Sequence, residues 1–175
     1  MVSFRYDDGG REAAGYKGSA GDCVTRAIAI AAELPYQAVY DALAEGNATQ
    51  RLSKRTRKSK SRTKVRTARN GISTKRKWFK DYMRGLGFEW TPTMQIGSGC
   101  NVHLRPGELP ETGRLVLNLS RHSAAYVDGT LHDTYDCSDA GMRCVYGFWT
   151  LKPSVYGYRT LCGPPALQKL LTIGH

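Results

Sequence analysis

The stretch HSAAYVDGTLHDTY (122–135) constrains the fold of this chain more than any other. Two strand-like runs flank Asp128-Gly129. Asp-Gly between such runs is the strongest short hairpin signal, because a type I′ turn needs φ above zero at both central positions. A two-residue turn also sets the register: Val127 pairs with Thr130, Ala124 faces Asp133, and His122 faces Tyr135. Side chains two apart share a face, so His122 and Asp133 become diagonal neighbours on one face, within hydrogen-bonding reach. His132 and Asp136 fall on the opposite face, and a slip of one residue would exchange the candidates.

Further strand patterns are RLVLNLS (114–120), RCVYGFWTL (143–151) and VYGYRTL (155–161), the last two separated by Pro153. The first half of the chain has a different period. After Asp22, a good N-cap residue, Val24, Ala27, Ile28, Ala31 and Leu34 recur at helical spacing. Pro35 suits the first turn of a second helix, PYQAVYDALAEG, with Gly46 as its stop. A third helix, from about Thr74, carries Trp78, Phe79, Tyr82, Met83 and Leu86 on one side and stops at Gly87. Residues 1–20, rich in Gly and polar side chains, are expected to be an irregular approach segment. Helices first and antiparallel strands second define an α+β class, in one domain spanning residues 1–175.

Charge is segregated. Residues 51–80 hold 14 of the 26 Lys and Arg and none of the 15 Asp and Glu, so the remainder is mildly acidic and a histone-like chain is excluded. Residues 47–73 show no apolar periodicity and read as a basic loop or arm inserted between helices. Lys54, Arg55, Arg57, Lys58, Lys60, Arg62, Lys64 and Arg66 are candidate phosphate contacts, expected to bind RNA, DNA or a nucleoprotein in a salt-dependent way. Without interleaved aromatics, base stacking is not indicated. An acidic protein or an anionic membrane surface is the competing partner.

No apolar run approaches the length of a membrane span. The opening MVSFRYDDGGREAAG is polar, carries early acids and is unlike a signal peptide. Five cysteines, an odd number, then argue for a reducing, cytoplasmic setting with free thiols. Cys100-Asn-Val-His103 has the gap of half a zinc site, but Cys137 and Cys144 lack a knuckle spacing. Buried free thiols, with no metal and no cofactor, are the expectation.

Cys23 opens the first helix, where unpaired N–H groups and the macrodipole favour a thiolate. With His122 as base and Asp133 to orient it, the chain holds the parts of a Cys-His-Asp set. The Cys23 N–H would supply half of an oxyanion hole, and Lys17 and Ser19 are the nearby side chains able to donate the rest. The plainer alternatives are a Cys23 that merely fills a core helix and an Asp133 that pairs with an Arg.

GDCVTRAIAIA followed by RHSAAYVDGTLHDTYD resembles the papain-like cysteine peptidase superfamily. In style it is similar to compact bacterial and phage members such as bacteriocin-leader peptidases and NlpC-type cell-wall endopeptidases. There a Cys opens the first long helix, a His begins a strand, and a polar residue on the next strand orients it. The resemblance implies a papain-like fold, with the Cys-bearing helix packed on a C-terminal antiparallel sheet. It places the family roles on Cys23, His122 and Asp133, and implies hydrolysis of a peptide, isopeptide or amide bond in a peptide or protein substrate through an acyl-thioester. The chain has YKGSAG where papain-like enzymes place a Gln before the Cys. His132 would be the third member if the register differed, as in NlpC-type enzymes. Residues 47–73 have no counterpart in the family. Tyr126 and Trp149 are expected to line the cleft. The alternative is a non-catalytic papain-like scaffold that binds nucleic acid or a nucleoprotein assembly through residues 51–80.

Overall fold

A computed structural model describes residues 1–18, 21–49, 67–69 and 72–153. The elements run β1 (Ser3–Tyr6), α1 (Cys23–Ala32), α2 (Tyr36–Ala48), α3 (Lys77–Gly85), β2 (Phe88–Pro92), β3 (Arg114–Leu119), β4 (His122–Val127), β5 (Thr130–Asp133) and β6 (Val145–Leu151). The strands form one sheet in the order β1-β5-β4-β3-β6-β2. The class is therefore α+β. None of the helices among the described residues is long and apolar enough to cross a membrane.

The hairpin forms in the expected register, with Val127 opposite Thr130 and Ala125 opposite His132. Asp128 and Gly129 both take positive φ, 45° and 79°, as a type I′ turn requires. The sheet, however, is mixed rather than wholly antiparallel. Ser3–Tyr6, expected to be irregular, is a strand parallel to β5, anchored by the buried Val2 at its start. β2 is a second strand that sequence patterning misses. It follows the reversal at Gly87 and sets Trp90 opposite Trp149. The run at 155–161 lies outside the described residues, as do Ser19, Cys162 and the basic residues Lys54 to Arg66.

α1 is apolar on nearly every side because it is buried from Val24 to Ala32. α2 does not stop at Gly46 but continues to Ala48. A Cβ at Gly46 would stand 2.3 Å from the Trp78 ring, so this glycine serves a close approach rather than a helix end. Asn47, inside α2, donates through Nδ2 to the Thr67 carbonyl at 3.1 Å. The chain therefore leaves α2 and returns beside it, with Ala68 fully buried in the core. Residues 47 and 48, expected to open the basic arm, belong to α2, and residues 50–66 lie outside the described residues. α3 begins at Lys77 rather than Thr74 and buries Phe79, Tyr82 and Met83.

Both sheet faces are covered. Ile28, Val39, Leu43, Phe79 and Met83 from the helices pack with Val116, Ala125 and Trp149. Leu104, Leu109 and Cys137, from the segments around β6, pack with Leu115, Leu117, Tyr126 and Leu131. Cys100 and Cys144 are joined in a disulfide that ties these segments together, which corrects the expectation of free thiols at both positions. It also removes the half zinc site, since Cys100 is occupied and the His103 ring faces Glu108.

Candidate active site

The ends of three elements meet at one end of the sheet. The N-terminus of α1 supplies Cys23, the first residue of β4 supplies His122, and the last residue of β5 supplies Asp133. Because β4 and β5 are antiparallel, the start of one lies beside the end of the other. Nε2 of His122 donates to Oδ2 of Asp133 in a close contact between side chains only 8% and 3% exposed. Cys23 is half-buried and free, and it makes a side-chain hydrogen bond with His122. Since Nε2 is committed to Asp133, Nδ1 is the nitrogen left to exchange a proton with the thiol.

The electrostatics follow from these contacts. Burial pushes the Cys23 thiol up. The hydrogen bond and charge of His122, the Ser123 backbone N–H and the charge of Arg26 outweigh it and bring the thiol below its ordinary value. Burial likewise opposes the His122 imidazolium, but hydrogen bonds with Asp133, Cys137 and Cys23 and the Asp133 charge raise its pKa. Asp133 is held below the usual carboxylate range by His122, the Thr134 N–H and Arg26, against the opposing effect of burial. The arrangement favours a thiolate beside an imidazolium, the state that attacks a carbonyl carbon.

Behind these groups runs a buried ionic chain. Arg26 reaches Asp133 Oδ1 with one terminal nitrogen, at 3.2 Å, and Asp22 with the other. Asp22 also accepts from Arg11 Nε at 2.8 Å and from the Tyr36 hydroxyl at 2.6 Å. Asp22 therefore forms no side-chain cap, contrary to its expected role. Sequence reasoning allowed that Asp133 pairs with an arginine but did not single out Arg26. The signal was present: an arginine three residues after Cys23 and four after Asp22, on a helix otherwise without charge.

An open cleft of about 640 Å³ leads to the thiol. Residues 7–18 build one wall, folded by the Asp8 carboxylate, which accepts from the Gly10 and Glu12 N–H groups. Tyr6, Tyr16 and Tyr135 supply its aromatic surface, and the Tyr135 ring sits 5.3 Å from that of His122. Tyr126 and Trp149 do not line it: both are buried, at 2% and 1% exposure, in the two cores. Lys17 borders the cleft, with its carbonyl held by Arg11 at 3.1 Å. His132 instead bonds Asp7 through Nδ1 at 3.1 Å, and Asp136 accepts from the Ser138 N–H.

His122, Asp133 and the buried Cys137 place their donor atoms within 4.8 Å of one another. Asp133 already serves His122, Arg26 and Thr134, and the Arg26 charge opposes a cation beside it. The cluster fits proton exchange better than metal binding. No family profile, curated protein or solved structure matches this chain.

Proposed function

We propose that the protein is a papain-like thiol hydrolase acting on a peptide, isopeptide or amide bond. The observation that carries this reading is the Cys23–His122–Asp133 relay opening into a cleft. The Cys23 thiolate attacks the carbonyl carbon, and the carbonyl electron pair moves to oxygen. In this reading the Cys23 backbone N–H, in the first turn of α1 where N–H groups lack an intrahelical acceptor, donates to that oxyanion. Collapse breaks the C–N bond, His122 gives its proton to the departing amine, and an acyl-thioester remains on Cys23. His122 then takes a proton from water, hydroxide adds to the thioester carbon, and Cys23 leaves as thiolate beside a regenerated imidazolium.

The test is stoichiometric iodoacetamide labelling at pH 7, read by peptide mass spectrometry. Cys23 should label much faster than the buried Cys137, and His122→Ala should slow it. Labelling of Cys23 no faster than that of Cys137 and Cys162 in the wild type would remove the enzyme reading.

A second reading rests on the charge segregation at residues 51–80. The basic segment docks on nucleic acid or a nucleoprotein, with the folded domain as scaffold or as delivered enzyme. Replacing the basic residues of 54–66 by Ser should abolish retention on nucleic acid and flatten its salt dependence. Unchanged retention would exclude it.

A further inference from the structure

We infer that Arg26 is a positioning residue that fixes the Asp133 carboxylate, and through it the His122 ring, against a scaffold anchored on Asp22. The catalytic meaning of this inference rests on the hydrolase reading above; its geometry does not.

Helix spacing puts the parts on one side of α1. Cys23 and Arg26 are three residues apart and Asp22 and Arg26 four, so all three project from neighbouring positions. The guanidinium then bridges two carboxylates, Asp22 and Asp133, with its two terminal nitrogens. Asp133 divides its oxygens: Oδ1 accepts from Arg26 and, at 2.7 Å, from the Thr134 N–H, while Oδ2 accepts from His122. With Oδ1 pinned from two directions, Oδ2 has one orientation left, and it faces Nε2. Asp22 is itself immobilised by Arg11 and Tyr36, and it is 1% exposed. Arg26 thus transmits the position of the α1 N-terminus, where the thiol sits, to the strand that carries the base's partner. Asp133 alone, at the end of a four-residue strand, has no such link to α1.

A planar fork is required for this. A lysine keeps the charge but offers one compact ammonium, which cannot hold two carboxylates in fixed directions. Arg26→Lys therefore separates positioning from simple charge. Around His122 the charged and titratable groups are Asp133, Cys23, Cys137, Arg26, Tyr135 and the adjoining Arg121, and this variant leaves the sign of each unchanged.

The experiment follows the His122 ring by nitrogen-detected NMR titration, assigned with His122→Ala, in the full chain as wild type, Arg26→Lys and Asp22→Asn. Positioning predicts that the His122 titration falls by about one pH unit or more in Arg26→Lys. It predicts a smaller fall in Asp22→Asn, which loosens the anchor. Cys23 alkylation at pH 6 should slow about tenfold in Arg26→Lys. A His122 titration unchanged in Arg26→Lys overturns the inference. If that variant does not unfold cooperatively, Asp22→Asn decides in the same way. Slow alkylation of wild-type Cys23 would overturn the hydrolase reading alone, because the ring titration is read without it.

Discussion

Nε2 of His122 and Oδ2 of Asp133 meet across a hairpin whose turn is only two residues long. They are eleven positions apart in the chain, and the turn brings them together. Asp133→Asn keeps the shape and removes the charge. The His122 imidazolium then loses its closest counter-charge, and the thiolate loses the imidazolium. Cys23 alkylation at pH 6 to 7 should fall by roughly tenfold for each unit the thiol pKa rises. His132→Ala, in contrast, should leave the rate unchanged, since that ring bonds Asp7. An equal loss in both variants, measured by iodoacetamide kinetics, would contradict the assignment of Asp133.

The pKa directions also predict how stability varies with pH. His122 has a raised folded-state value, so its contribution is full below the unfolded value of about 6.5 and is lost as pH climbs through the folded one. Asp133 has a lowered folded-state value, so its contribution is present above about 3.9 and is lost as pH falls through the folded one. Urea unfolding of wild type and His122→Ala should therefore converge as pH rises above neutral. Wild type and Asp133→Asn should converge in acid. Parallel curves across pH would show that the pair does not couple to folding.

Much of this architecture is legible in the sequence because local chemistry dictates it. Asp128-Gly129 determines the hairpin and hence the placement of His122 against Asp133, and the apolar spacing after Asp22 determines α1. What was not legible depends on partners distant in sequence. Ser3–Tyr6 becomes a strand only because β5 offers an open edge, and nothing in SFRY itself announces it. Asp22 looks like a cap until Arg11, Tyr36 and Arg26 claim its carboxylate. Cys100 and Cys144 look like separate thiols until the loop ahead of β3 folds back beside β6. Trp149 looks available for a cleft until Trp90 and Phe79 enclose it.

Gly46 offers a test of packing in which the usual sign reverses. In an exposed helix interior, Gly→Ala stabilises by about 1 kcal/mol, because Ala loses less backbone freedom on folding. At Gly46 the added methyl would stand 2.3 and 2.5 Å from two carbons of the Trp78 ring. Trp78 is partly buried against the helix-side core, so its displacement disturbs Phe79 beside it, 5.9 Å between ring centres. Overpacking of this kind costs about 1–3 kcal/mol. Gly46→Ala should therefore lower the urea midpoint, and Trp78 fluorescence should shift in the native state. A raised midpoint would mean that Trp78 moves aside freely.

The Cys100–Cys144 bond closes a loop with a sequence separation of 44 residues, across segments that cover the second core with Leu104 and Leu109. Closing a loop of that length removes unfolded-state entropy worth about 4 kcal/mol in the chain-entropy treatment, with about 2–4 kcal/mol typical of native bonds. The bond also sits beside the short bridge between His103 and Cys144, so its loss frees the strand-like contact that docks the loop on the start of β6. A Cys100→Ser/Cys144→Ser variant should accordingly lose about 2–4 kcal/mol in urea unfolding. Adding a thiol reductant to the wild type should reproduce that loss, while leaving the double variant unaffected. Among the described residues, the free Cys23 and Cys137 take part in no disulfide. If the reductant leaves the wild-type midpoint unchanged, the loop is held by Leu104 and Leu109 alone and the bond adds nothing to the fold.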